Sequence, residues 1–413
     1  MHQIAYLCHL YPSITQTFVF NEIQELKSNK VALQTIAFKQ PDKKSFKVLM
    51  PAMQAEVRCT IYMPASWSLT SLRSQLEVLV HFPWRYFTIL WQTLRGPYMG
   101  FSSLKLRIHA CQDFVRGVDL GMFLKRNGFY HIHAEFPNHS ATSAWVAHKI
   151  TGIPFSFRSY TSYNSQIIKK KIKDAKFVLC CSEYDKNRLL SYSSKHYSDK
   201  LIIDVLGIDV DNWQPCESIK EVKGLILCVA SLGDKKGQEY LIRACQILKI
   251  KGVQFKALIV GDGPDKEMLT ILIEKLKLRE HVRMQGFCTH SEVKYLMQES
   301  TVFCLPCIKT KLGDTDGIPF VLMEAMALGK TCVSTTVSGI PELIEHRING
   351  LLVKERDPAS LASALLEALD NKDLRCRIGK AARKSILSKF DIHKNVAITS
   401  KFFIQPQKQY KKL

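Results

Sequence analysis

The chain has 413 residues, 46% of them hydrophobic and 23% charged, with a formal net charge of +21 and 13 cysteines. That length suits two or three domains rather than one, and the composition is close to soluble globular usage, so large cores can form. No run approaches the roughly 20 apolar residues of a membrane span, and the N-terminus lacks a signal peptide's basic start and cleavage site, so a cytoplasmic location is expected.

In the first half, 4–7 reads as a buried strand, 18–27 as a helix and 31–38 as a strand. Residues 82–107, from Phe82-Pro-Trp-Arg-Tyr-Phe to Leu104-Lys-Leu-Arg, interleave aromatics with Arg85, Arg95, Lys105 and Arg107. Such a stretch suits either a core-facing helix pair with a solvated basic side or a surface lying in a lipid interface. Further strands are expected at 131–134, 155–158, 177–181 and 201–205, with helices between them. Residues 212–222, with one proline and few apolar anchors, read as an interdomain linker.

The second half alternates more regularly. Strands are expected at 224–230, 256–260, 282–287, 301–305, 331–335 and 350–353, and helices near 237–251, 266–277, 291–298, 319–328, 358–369 and 373–388. Short β-rich runs alternating with amphipathic helices imply parallel strands joined by right-handed crossovers. The expected fold is α/β, with doubly wound domains over 1–211 and 223–390. A C-terminal helix and basic tail over 391–413 are free to pack back on the first domain.

Most cysteines sit inside apolar runs such as Leu179-Cys180-Cys181 and Leu227-Cys228-Val229, as free thiols in a reducing compartment do. Cys304-Leu-Pro-Cys307 has C-x-x-C spacing but ends a strand-like run and lacks a second pair, so it reads as structural. The positive excess is spread over both halves, which suits an anionic partner: nucleic acid, an anionic membrane or a phosphorylated substrate. No RNP-like signature, finger or basic zipper accompanies it, and nucleic acid is therefore not expected.

Open α/β sheets bind ligands at the carboxyl ends of their strands, and the unusual residues of the second half fall there. Ser231-Leu-Gly-Asp-Lys-Lys236-Gly237 is a Gly-rich turn carrying two lysines into a helix, suited to a diphosphate. Gly261-Asp-Gly263-Pro264 is a tight turn on which backbone and ligand can approach closely, although Gly-rich turns are also plain structure. In Asp314-Thr-Asp316-Gly317-Ile-Pro319-Phe320-Val-Leu-Met-Glu324-Ala-Met-Ala-Leu-Gly329, Pro319 fits a first helical turn and Gly329 an end. Glu324 lies inside this apolar helix and Asp316 just before it. A carboxylate so placed needs a specific partner. It is either a buried ion pair or cap, or an acceptor for ligand hydroxyls beside a helix N-terminus that faces phosphate.

The segment from Asp316 to Glu324 resembles the E-x7-E region of retaining glycosyltransferases of family 4. Val229–Gly237 is similar to that family's G-R-L-x-x-x-K-G loop, Gly261–Pro264 to its G-D-G-P turn and Ser338-Gly-Ile-Pro-Glu342 to its G-G-x-P-E stretch. In the first half, Tyr11-Pro-Ser-Ile-Thr15-Gln16-Thr17-Phe18, His131-Ile-His133-Ala, Cys181-Ser182-Glu183 and Gly207-Ile-Asp209 match in order and spacing. The D-G-I-P start is closest to the branch that builds exopolysaccharides of the colanic-acid and amylovoran kind.

The resemblance implies a GT-B fold: two facing Rossmann-like domains with an interdomain cleft, donor held by the second and acceptor by the first. It implies a nucleotide-sugar as co-substrate, no cofactor and no metal, so Asp314-Thr-Asp316 imitates a metal-binding D-x-D by coincidence. Lys236 is expected to neutralise the donor diphosphate, Asp316 to hold hydroxyls of the transferred sugar and Glu324 to accept from the ribose. Ser231, Gly261, Gly263, Gly317, Pro319, Phe320, Thr15 and Thr17 are expected to line the donor. A glycan or a polyprenyl-diphosphate-linked sugar is the expected acceptor, and the basic charge allows peripheral contact with an anionic membrane on its inner face.

Four departures stand out. Ser231 occupies a usual Arg position, Gln16 a usual Glu, and Asp316 is the shorter acid. Phe157-Arg158-Ser-Tyr160-Thr-Ser-Tyr163 replaces T-x-H-x-x-D, so Tyr160 stands where a histidine commonly faces the donor sugar, and Arg158 is a candidate to restore positive charge. These departures leave a non-catalytic GT-B scaffold as the alternative. A nicotinamide oxidoreductase needs G-x-G-x-x-G, and the turn at Gly261 lacks the third glycine. His131/His133 and His139/His148 are open as acceptor contacts or as core.

Overall fold

The computed structural model describes residues 3–66, 68–95, 104–160 and 167–404. Met1, residues 96–103 of the basic-aromatic stretch, 161–163 and the basic tail 405–413 lie outside the described residues. The chain divides into two compact units, Met1–Asp204 with Val396–Leu413, and Val205–Asn395.

The first unit is built on a parallel sheet of β1 (Ile4–Leu10), β2 (Leu33–Lys39), β3 (Ile61–Tyr62), β4 (His131–Ala134), β5 (Phe155–Ser159), β6 (Val178–Cys180) and β7 (Leu201–Ile203). Their order is β3-β2-β1-β4-β5-β6-β7, with Ile4 opposite both Leu33 and His131. Helices cover both faces, so most strand residues are buried on either side, as parallel sheets require. Strand β4 is buried throughout although two of its four residues are histidines. The Ser156 hydroxyl satisfies both, 2.7 Å from His131 Nε2 and 2.8 Å from His133 Nδ1. The last helix, Ile392–Ile404, ends in this unit, where Phe403 stands edge-on to the His133 ring at 5.0 Å.

The second unit repeats the plan with β8 (Leu225–Val229), β9 (Lys256–Val260), β10 (Val282–Gly286), β11 (Val302–Leu305), β12 (Cys332–Thr335) and β13 (Leu351–Val353), in the order β10-β9-β8-β11-β12-β13. The helix His290–Glu299 opens with a capping box between Thr289 and Glu292. Residues 212–222 lie inside this unit: Trp213 is buried in its core, and Gln298 accepts the Cys216 N–H at 2.6 Å. An aromatic anchor outweighs the polar composition that reads as linker. All 13 cysteines are free, with Cys304 and Cys307 buried at the end of β11.

In each sheet the strand order reverses at the unit's first strand, between β1 and β4 and between β8 and β11. The crevice outside the carboxyl ends at such a point is where doubly wound sheets take ligands.

Candidate active site

The loop after β8 carries the two lysines. Asp234–Lys236 form one 3-10 turn that Gly237 closes at φ +69°, and Gln238 Nε2 donates to the Ser231 carbonyl at 3.0 Å. A Cβ on Gly237 would lie 1.9 Å from the Pro306 carbonyl oxygen, so only glycine lets this loop meet the end of β11. That approach delivers the Lys236 ammonium to the Asp316 carboxylate, to which it donates. Lys235 Nζ stands 3.2 Å from Asp316 and 3.5 Å from Asp314. The Cys307 thiol donates to Asp316 as well, at 3.9 Å. Burial alone would raise the Asp316 carboxyl, but Lys236 and Lys235 outweigh it and hold it below the usual carboxylate range. Burial also opposes the charge on Lys236, and Asp316 more than offsets that, raising the ammonium above its ordinary value.

The helix Phe320–Ala327 starts directly behind this cluster. Pro319 is its N-cap rather than a residue of its first turn. Gly329 at φ +72° ends it, with Lys330 N–H donating to the Ala325 carbonyl at 3.0 Å. Gly317 lies in the loop between Asp316 and Pro319, and Phe320 opens the helix, half-buried. Glu324 is half-buried, with His290 Nε2 3.8 Å from its carboxylate and the His290 ring edge-on to Trp213 at 4.9 Å. Sequence reasoning missed His290, which reaches Glu324 from another helix and carries no local signal.

The Gly261–Pro264 turn has a packing role that its sequence does not reveal. Added Cβ atoms at Gly261 and Gly263 would lie 1.9 Å from the Ala230 carbonyl oxygen and 2.3 Å from that of Leu232. The backbone these glycines admit is that of the neighbouring βα loop, which leaves Ser231 exposed at its crest.

Thr15, Thr17 and Tyr160 belong to the first unit. Thr15 is exposed in the short 3-10 turn Ile14–Gln16, with its hydroxyl 3.3 Å from that of Ser13, and Thr17 opens the helix Thr17–Ser28. The Tyr160 hydroxyl donates to Glu135 at 2.6 Å, and its ring packs against Phe136 and Phe18. Beneath it lies a buried charge network. Arg158 Nη2 is 2.6 Å from both Glu22 and Asp204, and the Tyr6 hydroxyl lies between Glu22 and Glu135, at 3.0 and 2.8 Å.

The expectation that Arg158 restores charge to a ligand site is therefore corrected: its side chain is fully buried and its charge is spent on these carboxylates. The signal for Glu22 was present, since it falls on the same helix face as Val19, Ile23 and Leu26. His131 and His133 are core residues, and His148 is held by the Ile153 carbonyl at 2.9 Å. His139 is half-buried, 2.9 Å from Asp113.

Two doubly wound parallel sheets with their polar residues at the strand carboxyl ends define the GT-B class. Solved structures share that fold across nearly the whole chain. Anabaena HepE in complex with UDP superposes with a TM-score of 0.70 at 14% identity, covering 97% of this chain and 99% of that one. A glycosyltransferase from Rickettsia africae gives 0.69 at 16%, covering 98% and 99%.

Residues 209–385 match the family Glycosyl transferases group 1, and this segment is a domain of that kind. Among curated relatives, a putative colanic acid biosynthesis glycosyltransferase, WcaL, of Escherichia coli is 28% identical over 92% of this chain and 95% of its own length. Its Salmonella typhimurium counterpart is 36% identical over 56% and 58%. The amylovoran biosynthesis glycosyltransferase AmsK of Erwinia amylovora is 40% identical over 41% of each. The chain thus spans less than two thirds of the length of two of these three.

Proposed function

We propose that this chain is a glycosyltransferase of exopolysaccharide assembly. It moves a sugar from a nucleotide-sugar donor to a glycan or polyprenyl-diphosphate-linked acceptor, with retention and without a metal, at the cytoplasmic face of an anionic membrane. The relatives' names support the pathway, and the UDP complex of a structural neighbour supports a nucleotide donor.

The observation that carries the reading is the convergence of Lys236 and Lys235 on Asp316 at the carboxyl ends of the second sheet. A donor diphosphate entering there competes with Asp316 for the ammonium groups and frees the carboxylate to accept from sugar hydroxyls. Charge grows on the diphosphate as it leaves, so the lysines hold the transition state more strongly than the ground state. Asp314 and Asp316 both face ammonium groups, a set suited to an anionic ligand rather than a cation, which favours metal-independent chemistry. Front-face attack needs no enzyme nucleophile. In this reading Tyr160 faces the donor sugar, oriented by Glu135. Glu324 accepts from the ribose, and Ser231, Gly261, Gly263, Gly317, Pro319, Phe320, Thr15 and Thr17 complete the donor contacts.

Calorimetric titration of UDP, GDP, ADP and their common sugar derivatives into the wild type and Glu324→Ala tests this. One nucleotide binds the wild type, and the variant, losing a charged hydrogen bond worth about 1.5–3 kcal/mol, binds it ten- to a hundredfold more weakly. Failure of a well-folded wild type to bind any of them overturns the reading.

A further inference from the structure

Two consecutive helices of the first unit, Leu69–His81 and Pro83–Arg95, present their apolar residues to solvent. On the first, Leu69, Leu72, Leu76 and Val80 recur at spacings of three and four and so share one face, with Leu69 86% exposed and Val80 72% exposed. On the second, Trp84, Phe87 and Trp91 do the same, with Trp84 87% exposed, and exposed Phe82 joins the two.

The first helix is inverted relative to an ordinary surface helix, which points its polar side outward. Its inward face carries Ser71, Ser74 and Val78. Ser71 Oγ and Gln75 Nε2 both donate to the Asp119 carboxylate, at 2.6 and 2.8 Å, while the Tyr86 hydroxyl of the second helix donates to Gln75 Oε1 at 3.1 Å. The polar groups are used to fasten the pair to the protein, and the leucines are left outside. Contiguous exposed apolar surface of this kind marks a partner.

The charges around the face indicate which partner. The Pro83–Arg95 helix contains no acidic residue. The one acid of the Leu69–His81 helix, Glu77, is paired with Arg126. Arg73, Arg85 and Arg107 are exposed on and beside the two helices, in a chain of net charge +21. A second copy docked here would set arginines of like sign against one another, whereas an anionic bilayer neutralises them. Exposed tryptophans with arginines flanking them suit the headgroup boundary, where rings and aliphatic stems sink into the acyl region and polar tips stay wet.

We propose that the outward face of Leu69–His81 and Pro83–Arg95 is a membrane-docking surface that lies in the interface of an anionic bilayer. No described helix is long and apolar enough to cross a membrane, so the attachment is in-plane. This deepens the membrane contact proposed above by naming the surface that makes it, and it does not depend on donor binding.

The test uses the full chain, the double variant Trp84→Glu/Trp91→Glu, and vesicles of phosphatidylcholine with or without phosphatidylglycerol. The wild type is expected to sediment with the anionic vesicles and to be released by salt. The variant is expected to partition at least tenfold less while keeping the wild-type circular dichroism spectrum and nucleotide affinity. A second variant, Leu72→Gln/Leu76→Gln, is expected to weaken partitioning with no added charge. Wild type that ignores anionic vesicles, or variants that bind them as wild type does, overturns the proposal. So does a wild-type dimer, seen in sedimentation velocity, that the variants abolish, since a second copy is then the occupant. Vesicle binding by a chain that takes no nucleotide sinks the transferase reading and leaves this one standing.

Discussion

Lys236 and Asp316, eighty positions apart, are ion-paired across the carboxyl ends of β8 and β11, and Gly237 is what allows the loops to meet. Each partner holds the other charged, so on the proposed reading the pair is a preset cation whose counter-ion a donor diphosphate would displace. Lys236→Ala is expected to lower kcat about 10²–10³-fold, the cost of removing one preorganised transition-state contact. Steady-state rates of sugar transfer or donor hydrolysis check it, with Lys235→Ala, the longer contact, expected to fall less.

Arg158 is the hub of the first unit's buried charges, touching Glu22 and Asp204, with Glu135 4.0 Å away. Removing it strands carboxylates that have no access to water. Arg158→Ala is expected to cost about 3–5 kcal/mol in urea unfolding. Tyr160→Phe, which loses only the hydroxyl bond to Glu135, is expected to cost about 1 kcal/mol. Equal losses in the two variants would show that the network is not organised around the guanidinium.

The second unit was legible nearly strand for strand because its buried strands are short β-rich runs set off by amphipathic helices, and Asp316 and Glu324 stood out as acids at an apolar helix. The first unit was less legible for a physical reason. Its helices include Leu69–His81, whose apolar face looks at solvent, so periodicity marks the helix but points its core the wrong way. Strand β3 is two residues long and leaves almost no pattern. Arg158 looked like a ligand group because a lone arginine in a strand gives no hint of its three carboxylates, contributed by residues 22, 135 and 204. Trp213 and His290 meet only in the folded chain.

Ser338 holds φ +57°, in the left-handed region that favours glycine, and its buried hydroxyl has no hydrogen-bond partner among the described residues. Both features cost stability, of order 1 kcal/mol or more each, and the added backbone freedom of glycine in the unfolded chain offsets part of the gain. Ser338→Gly is expected to stabilise the protein by about 1 kcal/mol, read as a higher urea midpoint with unchanged slope. A lower midpoint would mean that the hydroxyl has a partner the fold needs.

Buried histidines make the first unit sensitive to acid. Burial holds His131 neutral with a pKa of about 3, His133 well below its ordinary value and His9 at about 4. The unfolded chain takes up these protons near 6.5. A depressed folded pKa contributes stability that is complete above 6.5 and lost as the pH falls from there toward 3 or 4. Glu22 works in the other direction. Burial raises it to about 7 against the pull of Arg158, so its contribution is complete below about 4.5 and is lost as the pH rises through 7. At pH 5 the histidines dominate the loss. His131 alone contributes about 2 kcal/mol, from one and a half pH units below 6.5 at about 1.4 kcal/mol each. Urea unfolding at pH 7.5 and 5.0 is expected to show the wild type losing at least that much. His131→Asn, which keeps a hydrogen bond to Ser156 but does not titrate, is expected to lose about 2 kcal/mol less between the two pH values. An identical drop in both proteins would place the acid sensitivity elsewhere.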